Sequence, residues 1–277
     1  MFSAFLALSY SCSKTDDNIV YVDSFPEEKT VVAKDAKWLQ PYNYHGMLMV
    51  DSLLVISNVK GPHPAFQVYN ANSLSLVKEG GTFGRGPEEF LSAASLTGQF
   101  FKDKKTSERF FYAYSTGRKV FYTVSLDKLL QGRPFVVKKN KLSKQLWNQS
   151  FLLKVGHSLI GNSPGTKGKT FCYDLDNTEK IDKWDYYPEI DNISQFSDQQ
   201  RYSLNQKSWA FNPRKQLLAG ATGTYFNRLI YCTPEGKRVK VVSLPQKEIK
   251  LTKHNYDNFP DYAGIIIASG NNIYRVY

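Results

Sequence analysis

The chain has few cysteines, histidines and methionines, and it has no long apolar run. Its 277 residues include three Cys, four His and three Met. Three cysteines are too few for a disulfide-built scaffold, and the scattered histidines have no carboxylates at the spacing of a zinc or iron site. No stretch reaches the roughly 20 apolar residues that a membrane-spanning helix needs. We therefore expect a fold held by its own apolar core, without a metal or other cofactor.

Aromatic and basic residues are abundant instead. The chain contains 18 Tyr and 18 Phe, residue types that favour strands over helices. Its formal net charge is +11, with lysine clusters at 102–105 and 138–144. No helix or aromatic stripe organises these lysines, so we interpret them as solvated loop residues and do not expect nucleic acid as a partner.

The N-terminus has the pattern of a secretory signal. Residues 2–8 are apolar and uncharged, too short a run to span a bilayer, and they are followed by Ser9-Tyr10-Ser11-Cys12. Small residues before a cysteine resemble a lipoprotein signal-peptidase site. This resemblance implies that residues 1–11 are a signal peptide and that Cys12 becomes the acylated first residue. The basic start of such signals is missing and Tyr10 is bulky, so an incidental cysteine is the alternative.

Residues 12–18 are polar and predict a flexible tether. Within them, Lys14 is followed by the acidic pair Asp16-Asp17, which resembles the surface-export signal of Bacteroides-type lipoproteins. We therefore expect an outer membrane lipoprotein, on the cell surface or on the periplasmic face.

A repeat of about 50 residues organises residues 19–277. Each unit has an apolar strand, a turn, a strand rich in Tyr or Phe, and a further strand; the units start near Ser52, Arg109, Phe151 and Lys207, and a partial fifth starts at Tyr262. This spacing is typical of four-stranded propeller blades, whereas a β-sandwich lacks the longer period. Helical patterns are weak and confined to 125–131 and 198–204. The sequence predicts an all-β fold, a β-propeller with about four and a half blades.

A propeller closes when strands from the two chain ends pair in one blade. We expect the strand-like segments 19–22 and 30–33 to close the last blade. The fifth unit stops in mid-blade, so we expect an incomplete propeller that lacks its final blade; a five-bladed ring is the alternative.

One motif carries a family resemblance. Residues 80–90 read Gly-Gly-Thr-Phe-Gly-Arg-Gly-Pro-Glu-Glu-Phe, and this stretch resembles the signature of TolB-like six-bladed propeller lipoproteins of Bacteroides-type bacteria. Residues 208–213 and 273–277 are weaker echoes of the same family. The resemblance implies a propeller of the six-bladed type, and it brings no catalytic residues with it.

The same motif is the best candidate binding site. Its glycines permit left-handed backbone and Pro87 fixes the following turn, which is typical of a rigid inter-blade loop. Alternatively, successive N–H groups and Arg85 bind a carboxylate or phosphate. Further candidates lie at strand starts or loops. The full set of candidate ligand-binding residues is Gly84, Arg85, Gly86, Tyr42, Tyr44, Phe66, Trp209 and Tyr225.

The one match to an enzyme signature lacks the secondary structure that the signature requires. Residues 161–165 match Gly-x-Ser-x-Gly, but a strand follows where the hydrolase motif needs a helix. A disulfide between Cys172 and Cys232 is possible in an oxidising compartment, although both lie in apolar strands that suit buried thiols. We predict no catalytic residue.

The sequence thus favours a ligand-binding or scaffolding envelope propeller. Its expected partners are the membrane, through the lipid on Cys12, and a glycan, peptide or protein. Two alternatives stay open: a lyase or lactonase that uses the central channel, and a truncated product without function.

Overall fold

The computed structural model describes part of the chain. The described residues are 19–21, 44–59, 64–86, 89–91, 95–146, 151–162, 170–177, 180–184, 193–205, 207–222, 228–243, 265–269 and 272–276. The helices within these ranges are short, and none has the length and apolar character of a membrane span.

Four sheets of four consecutive antiparallel strands dominate the structure. Blade 1 consists of β2 (Tyr44–Val50), β3 (Leu53–Asn58), β4 (Phe66–Asn70) and β5 (Leu76–Gly80). Blade 2 consists of β6 (Ser95–Lys102), β7 (Arg109–Ser115), β8 (Val120–Ser125) and β9 (Val136–Lys141). Blade 3 consists of β10 (Phe151–Val155), β11 (Ser158–Asn162), β12 (Thr170–Asp174) and β13 (Ile181–Trp184). Blade 4 consists of β14 (Lys207–Asn212), β15 (Leu217–Thr222), β16 (Arg228–Cys232) and β17 (Arg238–Ser243), and a hairpin of β18 (Ile265–Ser269) and β19 (Asn272–Val276) follows.

Successive sheets pack face to face around their first strands. The first strand of each blade contacts the first strand of the next, from β2 through β6, β10 and β14 to β18. A separate apolar core fills each interface between blades 1 and 2, 2 and 3, and 3 and 4. Consecutive meanders stacked through their first strands form a β-propeller. The predicted fold class is confirmed, with four full blades and a hairpin.

Both faces of an internal blade are apolar, because each packs on a neighbour. In β7, Phe111 and Ala113 belong to the core shared with blade 1, whereas Tyr114 belongs to the core shared with blade 3. Neighbouring strand residues point to opposite faces, so β7 reads as a nearly continuous apolar run. This explains why the strands lack a simple alternation of polar and apolar residues.

A side-chain amide joins the first strands of blades 2 and 3. The Gln99 Nε2 donates to the Lys154 carbonyl at 2.9 Å, and the Lys154 N–H donates to Gln99 Oε1 at 2.6 Å. The amide thus imitates a strand pairing where two sheets diverge from the central axis. It satisfies backbone groups of Lys154 on the edge of β10 that faces away from β11.

The two ends of the strands carry different connections. The links between first and second strands and between third and fourth strands lie at one end, here called the turn end; residues 51–52 and 71–75 are examples in blade 1. The links between second and third strands and between blades lie at the opposite end, here called the loop end. Residues 80–91 connect blade 1 to blade 2 at the loop end.

Two short helices lie in connections, as the sequence predicts. Helix α1 (Leu126–Leu130) follows β8, and the Ser125 side chain caps it by accepting from the Lys128 N–H. Its Leu126 and Leu129 are buried in the core between blades 1 and 2. Helix α2 (Asp198–Asn205) lies between blades 3 and 4.

Two expectations about the strands differ from the structure, and one alternative about the cysteines is resolved. Strand β1 (Ile19–Tyr21) pairs in parallel with β17 on the outer edge of blade 4, so it does not close a last blade as predicted. Segment 30–33 lies outside the described residues. Strands β2 and β6, the first strands of their blades, are absent from the predicted repeat. Cys172 and Cys232 are free thiols, so no disulfide joins them.

Candidate functional site

The glycine-rich loop is anchored by Phe90. This side chain is buried in the core between blades 1 and 2, where its ring meets Phe66 edge-to-face at 5.3 Å and Tyr122 at 5.1 Å between centroids. The backbone of Phe90 also pairs with Phe83 and donates to the Thr82 carbonyl at 2.8 Å. The loop is therefore a rigid part of the junction between the blades.

Gly81 is required by backbone conformation and by space. Its φ is +85°, in the left-handed region that glycine adopts without strain. A Cβ at this position would lie 3.0 Å from the Ala65 Cβ and 3.0 Å from the Phe90 ring. Only glycine lets the chain leave β5 and turn over the buried Phe90.

The amide groups of Gly84 and Gly86 are already bound by acceptors of the loop itself. The Gly86 N–H donates to Glu89 Oε2 at 2.6 Å, and a Cβ on Gly84 would collide with the same carboxylate. The Gly84 N–H donates to the Phe90 carbonyl at 3.0 Å. The predicted anion nest around Gly84 and Gly86 is thus filled from within, and an external anion would have to displace Glu89 to use it.

Arg85 is a charged residue of this motif that faces solvent. Its side chain is exposed, and no carboxylate of the described part of the chain forms an ion pair with it. A second guanidinium lies close by, because Arg118 Nη2 reaches from blade 2 to donate to the Gly84 carbonyl at 3.0 Å. Two cations flank Gly84 at the loop end, and Arg85 has its donors available for a ligand.

The other predicted residues are placed elsewhere. Phe66 is fully buried beneath the loop and packs on Phe90. Trp209 is 3% exposed in the core between blades 3 and 4, and its Nε1 has no hydrogen-bond partner within the described ranges. Tyr44 begins β2 opposite Asn58. Cys12, Tyr42 and Tyr225 lie outside the described residues.

Sequence reasoning missed two members of this site. Glu89 lies three residues after Gly86, a spacing at which a carboxylate can return to a backbone amide, so the motif itself contained the signal. Arg118 comes from a turn of the next blade, and no local pattern relates it to Gly84. The structure therefore brings together Gly84, Arg85, Gly86, Glu89 and Arg118.

A second group of charged residues lies at the turn end of blade 2. A cleft of about 380 Å³ is lined by Thr106, Ser107, Glu108, Asp127, Lys128, Gln131 and Arg133. The Asp127 carboxylate accepts from the Arg109 backbone N–H at 2.7 Å and from Arg109 Nε at 3.0 Å. Glu108 accepts from the Ser125 hydroxyl. Both carboxylates of the cleft are therefore engaged in holding α1 against β7.

The charges of this pair stabilise each other. Partial burial acts to raise the pKa of Asp127, but the hydrogen bonds and positive charge of Arg109 outweigh it, and the pKa lies below its usual value. The hydrogen bond to Asp127 likewise raises the pKa of Arg109. Such a pair has the chemistry of a structural clasp, since neither group is poised to exchange a proton near neutral pH.

Within the described ranges, no group of three or more His, Cys, Asp or Glu side chains is arranged to hold a metal ion.

Comparisons with known proteins find structures of similar fold but no family. No family model matches the chain. No curated protein matches its sequence either. Solved structures similar in fold include a putative exported protein from Bacteroides fragilis, with a TM-score of 0.49 and 14% identity over 82% of this chain and 60% of that one. A member of the duf4221 family from Bacteroides vulgatus has a TM-score of 0.47 and 8% identity over 82% and 64% of the two chains.

A third similar structure is Raptor from Chaetomium thermophilum, with a TM-score of 0.46 and 13% identity; the chain covers 18% of its length. The chain spans less than two thirds of each of these three proteins. These similarities concern the fold alone.

Proposed function

We propose that the chain is an envelope lipoprotein, anchored through Cys12, whose loop end binds a partner that carries carboxylate or phosphate groups. The observation that supports this function most is the exposed guanidinium of Arg85 on a loop held by Phe90, Glu89 and Arg118. A rigid loop loses little conformational entropy when a partner binds. A binding role therefore suits this surface better than catalysis does.

The guanidinium determines the chemistry of the partner. Arg presents several N–H donors in a planar fork that matches carboxylate and phosphate oxygens. Glu89 and the Phe90 carbonyl already accept from the N–H groups of Gly86 and Gly84, so Arg85 supplies the new contacts, with Arg118 adding positive charge. An acidic glycan, an acidic peptide or an acidic protein surface each offers such oxygens.

Titration calorimetry with three probes tests the binding proposal: oligogalacturonate, a poly-glutamate peptide and inorganic phosphate. We expect at least one carboxylate probe to bind and Arg85→Gln to weaken it about 10- to 100-fold, the effect of about 1.5–3 kcal/mol for a charge-assisted hydrogen bond. Lys105→Gln, which removes an exposed charge from the turn end of blade 2, should change little. Equal binding by wild type and Arg85→Gln would contradict the proposal.

The anchor is tested separately. Cells that express the full chain are grown with radioactive palmitate, and the protein is recovered from membrane and soluble fractions. We expect label in the wild type and none in Cys12→Ala. A labelled Cys12→Ala variant, or an unlabelled wild type, would remove the lipoprotein part of the proposal while leaving the Arg85 experiment valid.

A further inference from the structure

The turn end of blade 4 carries a compact group of cations. Arg214 and Lys215 lie in the turn between β14 and β15, and Lys237 and Lys240 lie in and after the turn between β16 and β17; all four are exposed. We call this group the blade 4 basic face. Strands in a sheet lie about 4.8 Å apart, so the two turns are about 10 Å apart. This separation is close to the Debye length of about 8–10 Å at 0.1–0.15 M salt, so both turns contribute to one patch of positive potential.

The basic face has little internal compensation. None of its four side chains forms an ion pair with another described residue. Glu235 is the carboxylate of these two turns, and the Thr233 hydroxyl already binds it. The face therefore has a net charge of about +3 at neutral pH.

Hydrogen bonds hold the backbone of both turns in place. Asn212 Oδ1 accepts from the N–H groups of Arg214 at 3.0 Å and Lys215 at 3.1 Å. In the other turn, the Thr233 N–H donates to the Lys237 carbonyl at 2.9 Å, and the Gly236 N–H donates to the Thr233 carbonyl at 2.9 Å. The backbone of the basic face is thus preorganised for a surface of opposite charge.

Strand β1 directs the N-terminal part of the chain toward this face. Because β1 runs parallel to β17, with Ile19 opposite Val241, its N-terminal end points to the turn end. Three strand residues, about 10 Å, separate the level of Ile19 from that of Arg238. Six residues lie between Cys12 and Ile19, and the seven Cα–Cα steps reach at most about 25 Å. A lipid on Cys12 therefore keeps blade 4 close to the bilayer.

One exposed apolar side chain accompanies the cations. Val239, between Lys237 and Lys240, is 50% exposed. Exposed apolar residues beside lysines and arginines are the composition of surfaces that rest in the interface between lipid head groups and acyl chains.

We propose that the blade 4 basic face docks on the anionic head groups of a membrane, so that blade 4 faces the bilayer with its turn end and the Arg85 loop points away from it. The orientation rests on the proposed anchor at Cys12, whereas the charge attraction does not. An anionic surface provides many charges at fixed spacing, and each Lys or Arg near it contributes about a five-fold gain in affinity, or about 1 kcal/mol.

Vesicle co-sedimentation of the unlipidated full chain, Cys12→Ser, tests the attraction without the anchor. The vesicles are phosphatidylcholine with or without phosphatidylglycerol. The variant Arg214→Gln/Lys215→Gln/Lys237→Gln should lose about 100-fold in affinity for the anionic vesicles, as three charges are removed. The matched control Lys138→Gln/Lys141→Gln/Lys144→Gln removes three exposed charges from blade 2 and its following connection, and should lose less than about three-fold.

Three results would overturn the proposal: equal losses in the two triple variants, equal binding to vesicles without phosphatidylglycerol, or binding to a single-stranded oligonucleotide as tight as to anionic vesicles. Circular dichroism and the thermal midpoint of each variant verify that folding is unchanged. Because this assay omits the lipid, its outcome is independent of the palmitate experiment.

Fluorescence quenching of the lipidated chain tests the orientation. A fluorophore is attached at Glu235→Cys at the turn end of blade 4, or at Lys144→Cys at the loop end, in vesicles whose head groups carry a nitroxide. We expect stronger quenching at position 235 than at position 144. Equal quenching, or the reverse order, would contradict the orientation.

Discussion

At the scale of single residues, the glycine-rich loop is determined by what each side chain excludes. Phe90 fills the space between two blades, Gly81 leaves room for that ring, and Glu89 accepts from the Gly86 amide that a ligand would otherwise use. The geometry therefore couples these residues: changing one of them displaces the others. The Arg85 side chain takes part in none of these contacts.

Replacing Phe90 should destabilise the protein strongly. Phe90→Ala leaves a cavity among Phe66, Phe111 and Tyr122 in the core between blades 1 and 2, and we expect the free energy of unfolding to fall by about 3–5 kcal/mol. Urea denaturation measures the change. The neighbouring Leu91 is 38% exposed, so Leu91→Ala should cost less than about 1 kcal/mol; similar losses in both variants would refute the anchoring role.

At the scale of elements, polar side chains connect pieces that the hydrophobic pattern leaves apart. Asp127 joins helix α1 to β7 through Arg109, and Gln99 joins the first strands of two blades. Neither connection follows from a strand or helix propensity, because each depends on a partner distant in sequence.

The Asp127 interaction should depend on pH. Its folded-state pKa is lowered, so its stabilising contribution is present above the unfolded-state pKa of about 3.9 and disappears as pH falls through the folded value. At neutral pH we expect Asp127→Asn to lower the free energy of unfolding by about 1–2 kcal/mol, given partial exposure of the pair. Denaturant titrations should show the difference from wild type shrinking as pH falls below about 4. A difference that is constant with pH would assign the effect to packing.

Removing the Gln99 amide should loosen the junction between blades 2 and 3. Gln99→Ala leaves the N–H and carbonyl of Lys154 without their partner, at a cost of about 1–3 kcal/mol. Hydrogen exchange at the Lys154 amide should then accelerate. Lys154→Met retains the backbone groups and serves as the control; exchange in Gln99→Ala that is no faster than in wild type would show that Gln99 does not protect this amide.

At the scale of the whole molecule, the blades form a chain of nearest neighbours. Each apolar core belongs to two consecutive sheets, so a local defect should spread first to the adjoining blades. Leu218 is fully buried in the core between blades 3 and 4. We expect Leu218→Ala to reduce hydrogen-exchange protection in β10–β17 more than in β2–β5. A uniform loss over all blades would instead indicate one cooperative unit.

The architecture could be predicted from the sequence because a propeller repeats the same strand pattern in every blade. Four copies of a strand pattern at a period of about 50 residues predict the blades, and the two weak helical patterns coincide with α1 and α2. Strand β6 escaped prediction because its register is broken between Leu96 and Phe100 and it contains Gly98 with a φ of +71°. Such a bulge interrupts the alternation that strand prediction relies on.

The candidate site and the edge pairing were less predictable. The glycine loop was recognised from its composition, yet the role of Glu89 and the approach of Arg118 depend on the folded path of the chain. The pattern at 19–21 predicts a strand but not its neighbour, because an outer edge of any blade offers unpaired backbone groups. Its parallel pairing with β17 became visible only in the structure.

The pairing of β1 with β17 also delays the assembly of the first strand during synthesis. Ile19 and Val241 are 222 positions apart, so at synthesis rates of about 5–20 residues per second the first strand waits roughly 10–45 s for its partner. Strand β1 therefore stays without this pairing until blade 4 has been synthesised. The strand made first is thus among the last to find its place.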